Sequence, residues 1–288
     1  MLPTLLDHLR TQMNQVIKQI TQATSLSTQQ AWWLLEFVTN KSQTWLMTNK
    51  YDLSSTQQDA LDNHIYEIGT LHKPLAYILG FVPFLDLEIM VKSPILIPRP
   101  ETENWVDQLI VMLQASTTQD FTILDIGTGT GCIALSLAKA FPAAKVYAVD
   151  INPQALELAK NNAIKNNICN IIFIESDLFK AVPDDLIFDL IVSNPPYINP
   201  SAQLDPSVAN WEDHGALFAD HEGMNIIDQI CKQAPSRLAK KNNLKFQLVL
   251  EIDTTQGAIL EKLLQQSGFQ ETIIQKDQFD RDRTAWSR

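Results

Sequence analysis

"LDIGTGTGCIALSLA", residues 124 to 138, is a short apolar run that breaks at Gly127, Gly129 and Gly131 and resumes as an apolar helix-forming segment. The first part has the character of a buried strand. The glycines let the backbone turn tightly and approach a ligand closely, and the helix that follows presents free N–H groups to that turn. By itself such a turn is a weak signal, because dinucleotide sites use the same device. As a unit of fold it is stronger, since strand, glycine turn and helix in this order start a parallel α/β sheet.

Outward from that stretch the alternation continues. The extended runs "FTILDIG", "KVYAVD", "NIIFIES", "DLIVSN", "FQLVLEID" and "ETIIQKD" precede a last extended run, and helices are predicted after Gly131, after Pro153, from Glu222 and from Thr255. Apolar strands separated by amphipathic helices imply a doubly wound, mostly parallel sheet covered on both faces. Residues 1–80 have a different period. Leu5, Leu6, Leu9, Met13, Val16, Ile17 and Ile20 recur at three- and four-residue steps, which lays an apolar stripe on one helical face. Ser27, and Ser54 or Ser55, are predicted N-caps. Trp32, Trp33, Trp45 and Tyr66 are expected to pack between the helices, an aromatic surface for a partner being the alternative. Between the two periods, "FVPFLDLEIMVKSPILIP" is broken by Pro83 and Pro94 and reads as a β-hairpin. The expected organisation is a helical bundle over 1–80, a hairpin linker over 81–98 and an α/β domain over 99–288.

Composition limits the partners. The chain has 288 residues, 45% of them hydrophobic, enough for one large or two smaller cores. Its 22 basic and 33 acidic residues give a net charge of −11, with no basic cluster of the kind that binds nucleic acid. Neither nucleic acid nor anionic membrane is an expected partner. Cys132, Cys169 and Cys231 are widely spaced and read as reduced cytosolic thiols that offer no metal site. The segment "MLPTLLDHLRTQMNQVIKQI" lacks an uninterrupted apolar core and reads as neither a signal peptide nor a membrane span.

The acids sharpen the glycine turn. Asp150 ends the second strand of the sheet, where a carboxylate accepts hydrogen bonds from ribose hydroxyls. Asp125, inside the strand before the turn, can receive an ammonium group, which a pyrophosphate cofactor lacks. "ESDLF" follows the third strand, so that Asp177 or the neighbouring backbone is expected to contact an adenine amino group while Leu178 and Phe179 cover the ring; a helix N-cap is the alternative role for Asp177.

At the end of the fourth strand stands "SNPPYI", where ligands bind in open α/β sheets. Pro195 restrains Asn194, and Pro196 restrains Pro195, because a residue before proline is pushed out of the helical region. The result is a rigid cluster of acceptors, the Asn194 side-chain oxygen and the Pro195 carbonyl, beside the aromatic face of Tyr197. Such a cluster suits a planar NH₂ group. Accepting both hydrogens as the nitrogen pyramidalises frees a delocalised lone pair, and a preorganised acceptor of this kind favours the transition state.

These motifs together resemble an S-adenosylmethionine-dependent methyltransferase, of the Rossmann-like class I, acting on a planar NH₂ nitrogen. "ILIPRPETE", residues 95 to 103, with "PLAYILGFVPF" before it and "ALFA", "GM" and "LEI" after it, is similar to the HemK family of glutamine methyltransferases over nearly the whole chain. That resemblance implies methylation of the glutamine side-chain amide in the Gly-Gly-Gln motif of peptide chain release factors, with S-adenosylhomocysteine as product. It implies that Gly127, Thr128, Gly129, Thr130 and Gly131 cradle the methionine part, Asp150 holds the ribose, Asp177 and Leu178 border the adenine, and Asn194, Pro195, Pro196 and Tyr197 receive the glutamine, Asn194 also facing the cofactor. The catalytic residues implied are Asn194, Pro195 and Tyr197. The "IPRPETE" segment either borders the cleft or starts a helix at a hinge. Two positions depart from the family pattern: "KKNNLKF" stands where a Gly-Gly turn is common, and Asp253 where glycine often follows "LEI". A cytoplasmic monomer with release factors as protein partners is expected. Competing readings are a glutamine methyltransferase of a ribosomal protein, an adenine-amino methyltransferase of DNA, and a silent cofactor-binding subunit.

Overall fold

The computed structural model describes residues 2–116, 121–240 and 244–288, the side chains of residues 2–12 and 116 excepted. The turn expected at Asn242 and Asn243 lies outside the described residues. The chain divides into two compact units, Met1–Gly80 with Leu204–Trp211, and Phe81–Gln203 with Glu212–Arg288.

The first unit holds α1 (Leu2–Ala23), α2 (Thr28–Thr39), α3 (Gln43–Thr48), α4 (Ser55–Gly69) and α5 (Leu75–Leu79). Ser27 and Ser54 cap α2 and α4 with reciprocal bonds to Gln30 and Gln57, so each first turn has its free N–H groups satisfied locally. Met13, Ile17 and Ile20 of α1 are buried with Leu34, Leu35 and Leu61, as the three- and four-residue spacing predicts. Among the aromatics only Trp32 joins this core. Trp33, Trp45 and Tyr66 are exposed, contrary to the packing expected of them, because they fall on the faces of their helices turned from the apolar stripe.

The second unit starts with the antiparallel pair β1 (Phe81–Phe84) and β2 (Leu87–Met90), shorter than the 81–98 range read from sequence. There follow α6 (Pro100–Ser116), β3 (Thr122–Ile126), α7 (Cys132–Ala140), β4 (Lys145–Asp150), α8 (Pro153–Lys165), β5 (Ile171–Glu175) and β6 (Leu190–Ser193). Helix α9 (Pro206–Ala209) lies in the excursion that belongs to the first unit, a departure from the expected 99–288 domain. Trp211 shows why: its indole N–H donates to Leu71 O at 2.9 Å, and Lys73 Nζ stands 5.5 Å above its ring, partners no local pattern reveals. The chain ends with α10 (His214–Leu217), α11 (Asn225–Arg237), β7 (Leu248–Glu251), α12 (Gly257–Gln266), β8 (Thr272–Lys276) and β9 (Asp282–Ser287).

Seven strands form one sheet in the order β5-β4-β3-β6-β7-β9-β8, parallel from β5 to β7 and antiparallel at β9. The winding reverses between β3 and β6. Their C-terminal ends therefore open a crevice between helices that leave in opposite directions, and the glycine turn and Asn194 stand on its two sides. Two asparagines tie the hairpin to α8: Asn162, within the helix, exchanges bonds with Met90 N and O, and Asn166, its C-cap, with Glu88 N and O. Asn162 also donates to Thr130 O at 2.9 Å, so the hairpin and the glycine turn share one buried amide.

Candidate active site

Gly127, Gly129 and Gly131 take φ values of 71°, 56° and 85°, a region that costs other residues about 1–2 kcal/mol. The backbone N–H groups of Gly127 and Thr128 both donate to Val149 O at 2.9 Å, which pins the turn to β4. A Cβ added at Gly127 or Gly129 would meet open space, whereas one at Gly131 would come within 3.0 Å of the Ala159 Cβ. The first two glycines keep room for a ligand, and the third lets α7 pack on α8.

Asp150 lies in the same crevice. Its Oδ2 accepts from Gly129 N and its Oδ1 from Asn152 N, each at 2.8 Å. Burial pushes its carboxyl above the usual range, the two amides pull it back, and the charge of Asp213 adds to the rise. Asp125 is fully buried below the turn. Its Oδ2 accepts from the Thr128 hydroxyl at 2.7 Å, while its Oδ1 meets no donor at hydrogen-bonding geometry. Burial, with a contribution from Asp150, pushes Asp125 up to about 7 against the Thr128 bond.

A cleft of about 360 Å³ joins these parts, within the range of small-molecule sites. Gly127, Gly129, Asp150, Asp177, Leu178 and Asn194 line it, as do Pro195 and Pro196. Thr128, Thr130 and Gly131, predicted beside them, do not: both threonines are buried inside the turn. Phe179 is buried in the core rather than over the cleft, and no helix begins at Asp177, whose carboxylate instead pairs with Lys180 at 2.6 Å. Apolar wall comes from Ile126, Ala155 and Ile151, the last of them 67% exposed.

Asn194 and Tyr197 are held by residues that sequence reasoning did not single out. The Ser193 hydroxyl donates to Ile126 O at 2.6 Å and locks the end of β6 to β3. The Asn194 amide nitrogen donates to Thr102 Oγ1 at 3.2 Å; Thr102 Oγ1 and Trp105 Nε1 donate to Glu251 Oε2 at 2.7 and 2.8 Å; Tyr197 Oη donates to Glu251 Oε1 at 3.1 Å. Tyr197 does not line the cleft; its ring packs against the core, and burial with the Glu251 charge raises its hydroxyl far above the usual range. Glu251 is itself buried, which raises its carboxyl against the bonds from Trp105 and Thr102. Gln256 donates to Tyr197 O at 3.0 Å and fixes that backbone from the loop after β7. In the same loop Asp253 accepts from Thr255 N at 2.9 Å, a turn that needs no glycine. Ile95 and Leu96 line the cleft, whereas none of the seven residues of "IPRPETE" (97–103) does, and α6 begins within it at Pro100. The one visible signal was Glu251 itself, a charged residue inside the apolar run "LVLEI".

Residues 106–210 match the family model "Methyltransferase small domain", and residues 12–80 match "PrmC N-terminal domain". A release factor glutamine methyltransferase of Streptococcus pneumoniae is 34% identical over 93% of this chain and 92% of its own length. One of Flavobacterium psychrophilum is 39% identical over 73% of this chain and 74% of its own. The chain belongs to the release factor glutamine methyltransferase family. Among solved structures, the Thermus thermophilus 16S rRNA N2 G1207 methyltransferase, in complex with AdoMet and guanosine, shares the fold at a TM-score of 0.52 and 17% identity, over 72% of this chain and 49% of its own. The cofactor of this methyltransferase family is S-adenosylmethionine, and the residues present fit it. The turn leaves open space where a Cβ would stand, Asp125 keeps one buried oxygen without a donor, and Asp150 faces the cleft. Asp125, buried beneath the turn, would take the ammonium group, Asp150 the ribose hydroxyls, and Leu178 would border the adenine.

Proposed function

We propose that this chain methylates the side-chain amide nitrogen of the glutamine in the Gly-Gly-Gln motif of peptide chain release factors. The observation that carries this reading is the placement of Asn194, Pro195 and Pro196 in the cleft wall, at the sheet's switch point and opposite the glycine turn. S-adenosylmethionine supplies a methyl group activated by a sulfonium charge. The chain's part is to orient the acceptor: the Asn194 side-chain oxygen and the Pro195 carbonyl accept the two amide hydrogens as the nitrogen pyramidalises. Burial of Tyr197 against Glu251 gives its ring a structural part in holding the turn.

We assign recognition of the release factor to the helical unit, which exposes Trp33, Phe37 and Tyr66. Incubation with radiolabelled cofactor and, in parallel, release factor, ribosomal protein or duplex DNA tests the substrate. Label is expected on the release factor alone, and it should vanish when the Gly-Gly-Gln glutamine is replaced by alanine. Label on ribosomal protein or on DNA would overturn the assignment.

A further inference from the structure

Glu251 is the last residue of β7 and is 1% exposed, yet it belongs to neither the glycine turn nor the "NPPY" turn. Three donors converge on it: Thr102 and Trp105 of α6, and Tyr197 of the turn after β6. Burying a carboxylate is costly, and these donors, with the charge of Arg283, offset that cost while fixing the direction of each bond.

The consequence of those directions follows from counting protons. A threonine hydroxyl has one hydrogen and two lone pairs, and an asparagine amide can present either end to a partner. Thr102 gives its hydrogen to Glu251 at 2.7 Å, so toward Asn194 it can only accept. The end of the Asn194 amide that faces it, at 3.2 Å, is therefore the NH₂ group. The carbonyl oxygen of that amide is turned away from Thr102, and Asn194 lines the cleft. Were the hydroxyl reversed, Asn194 would turn its NH₂ outward and meet a target NH₂ donor to donor.

We propose that Glu251 is a positioning residue for methyl transfer, acting through the Thr102 hydroxyl to fix which end of the Asn194 amide faces the reacting nitrogen. The proposal rests on the reading of Asn194 as the acceptor of the target amine. Glu251 sets the direction of the Thr102 bond, Thr102 sets the orientation of Asn194, and neither touches the substrate. The same carboxylate takes the Tyr197 hydroxyl, so both ends of the "NPPY" turn are referred to one buried group.

The test compares Thr102→Val in two backgrounds by single-turnover methylation of release factor at saturating cofactor. In the wild-type background the rate is expected to fall by about tenfold or more, with cofactor affinity changed less than about threefold, and Thr102→Ser to restore most of it, since one preorganised hydrogen bond is made uncertain rather than deleted. In Asn194→Ala the same substitution should change the remaining rate less than about twofold, because residues acting through one another are not additive. Glu251→Gln keeps a carbonyl oxygen toward Thr102 and Trp105, because the indole N–H can only donate, and should slow the reaction less than Thr102→Val. Should the valine variant not fold, Thr102→Ala makes the same comparison. Equal slowing by the Thr102 change in both backgrounds, or no slowing in the wild type while Asn194→Ala is impaired, would overturn the relay. A near wild-type rate in Asn194→Ala itself would instead overturn the reading of Asn194 beneath it.

Discussion

At Asp125 the cofactor-binding role proposed for it would oppose the demands of folding. Its folded carboxyl titrates near 7 because of burial, above the ordinary 3.8, with Thr128 pulling it down and Asp150 pushing it up. A raised carboxyl favours the folded state fully below about pH 4, and that contribution is lost as pH rises toward 7, after which it stays lost. Without cofactor, the wild type should therefore lose on the order of a few kcal/mol from this group between pH 4 and pH 7.5, and Asp125→Asn should not. Melting curves across that range check the first half; calorimetry should show weaker cofactor binding by the same variant, since the ammonium group loses its counter-charge. Asn194 makes the other prediction at this scale. Asn194→Ala should lower single-turnover methylation by about a hundredfold, the cost of one preorganised acceptor, and leave cofactor affinity nearly unchanged. Asp150→Ala should do the reverse, costing about 1–3 kcal/mol of cofactor binding, part of it through loss of the bond that holds Gly129.

The glycine turn separates two jobs within one element. Gly129→Ala places a methyl in open space at φ 56°, so the chain should keep its fold at a cost of about 1–2 kcal/mol while the cofactor site narrows. Gly131→Ala meets Ala159 at 3.0 Å and should destabilise the seam of α7 on α8 first. Thermal melting with and without cofactor distinguishes them: the Gly129 variant should lose most of the cofactor-induced rise, the Gly131 variant should melt earlier in both states. A similar constraint acts on the loop before α11. Gly223 sits at φ 85°, and a Cβ there would stand 1.9 Å from Tyr197 O, so the absence of a side chain is part of what lets the "NPPY" turn lie where it does.

On the scale of the molecule, the chain leaves the α/β unit after Gln203, contributes eight residues to the helical unit and returns at Glu212. Trp211 anchors that excursion within the helical unit through Leu71 and Lys73. Trp211→Phe removes the indole donor and should cost about 1 kcal/mol. Faster hydrogen exchange across residues 204–211 is the measurement to make, and unchanged protection there would show that the excursion is held by other contacts.

Several features are legible in the amino-acid sequence because their causes are local. The glycines at 127, 129 and 131, the prolines at 195 and 196 and the serines at 27 and 54 impose their conformations through sterics and short-range hydrogen bonds, and the alternation of apolar strands with amphipathic helices fixes a parallel sheet. Asn194 and Asp150 are visible because each ends a strand, where the winding of such sheets gathers ligands. The interior partners are hidden. Nothing near Glu251 in sequence announces that Thr102, 149 residues earlier, will donate to it, or that Tyr197 turns its hydroxyl inward to the same carboxylate instead of keeping its ring in the cleft. Nor does the sequence around Thr128 and Thr130 say that they face the interior of the turn, or that Trp33 and Tyr66 face solvent. Conformation set by neighbours along the chain was decided by the sequence. The direction of a buried hydrogen bond was decided only when the sheet brought distant donors and one carboxylate together, because a proton's position depends on all the groups that compete for it.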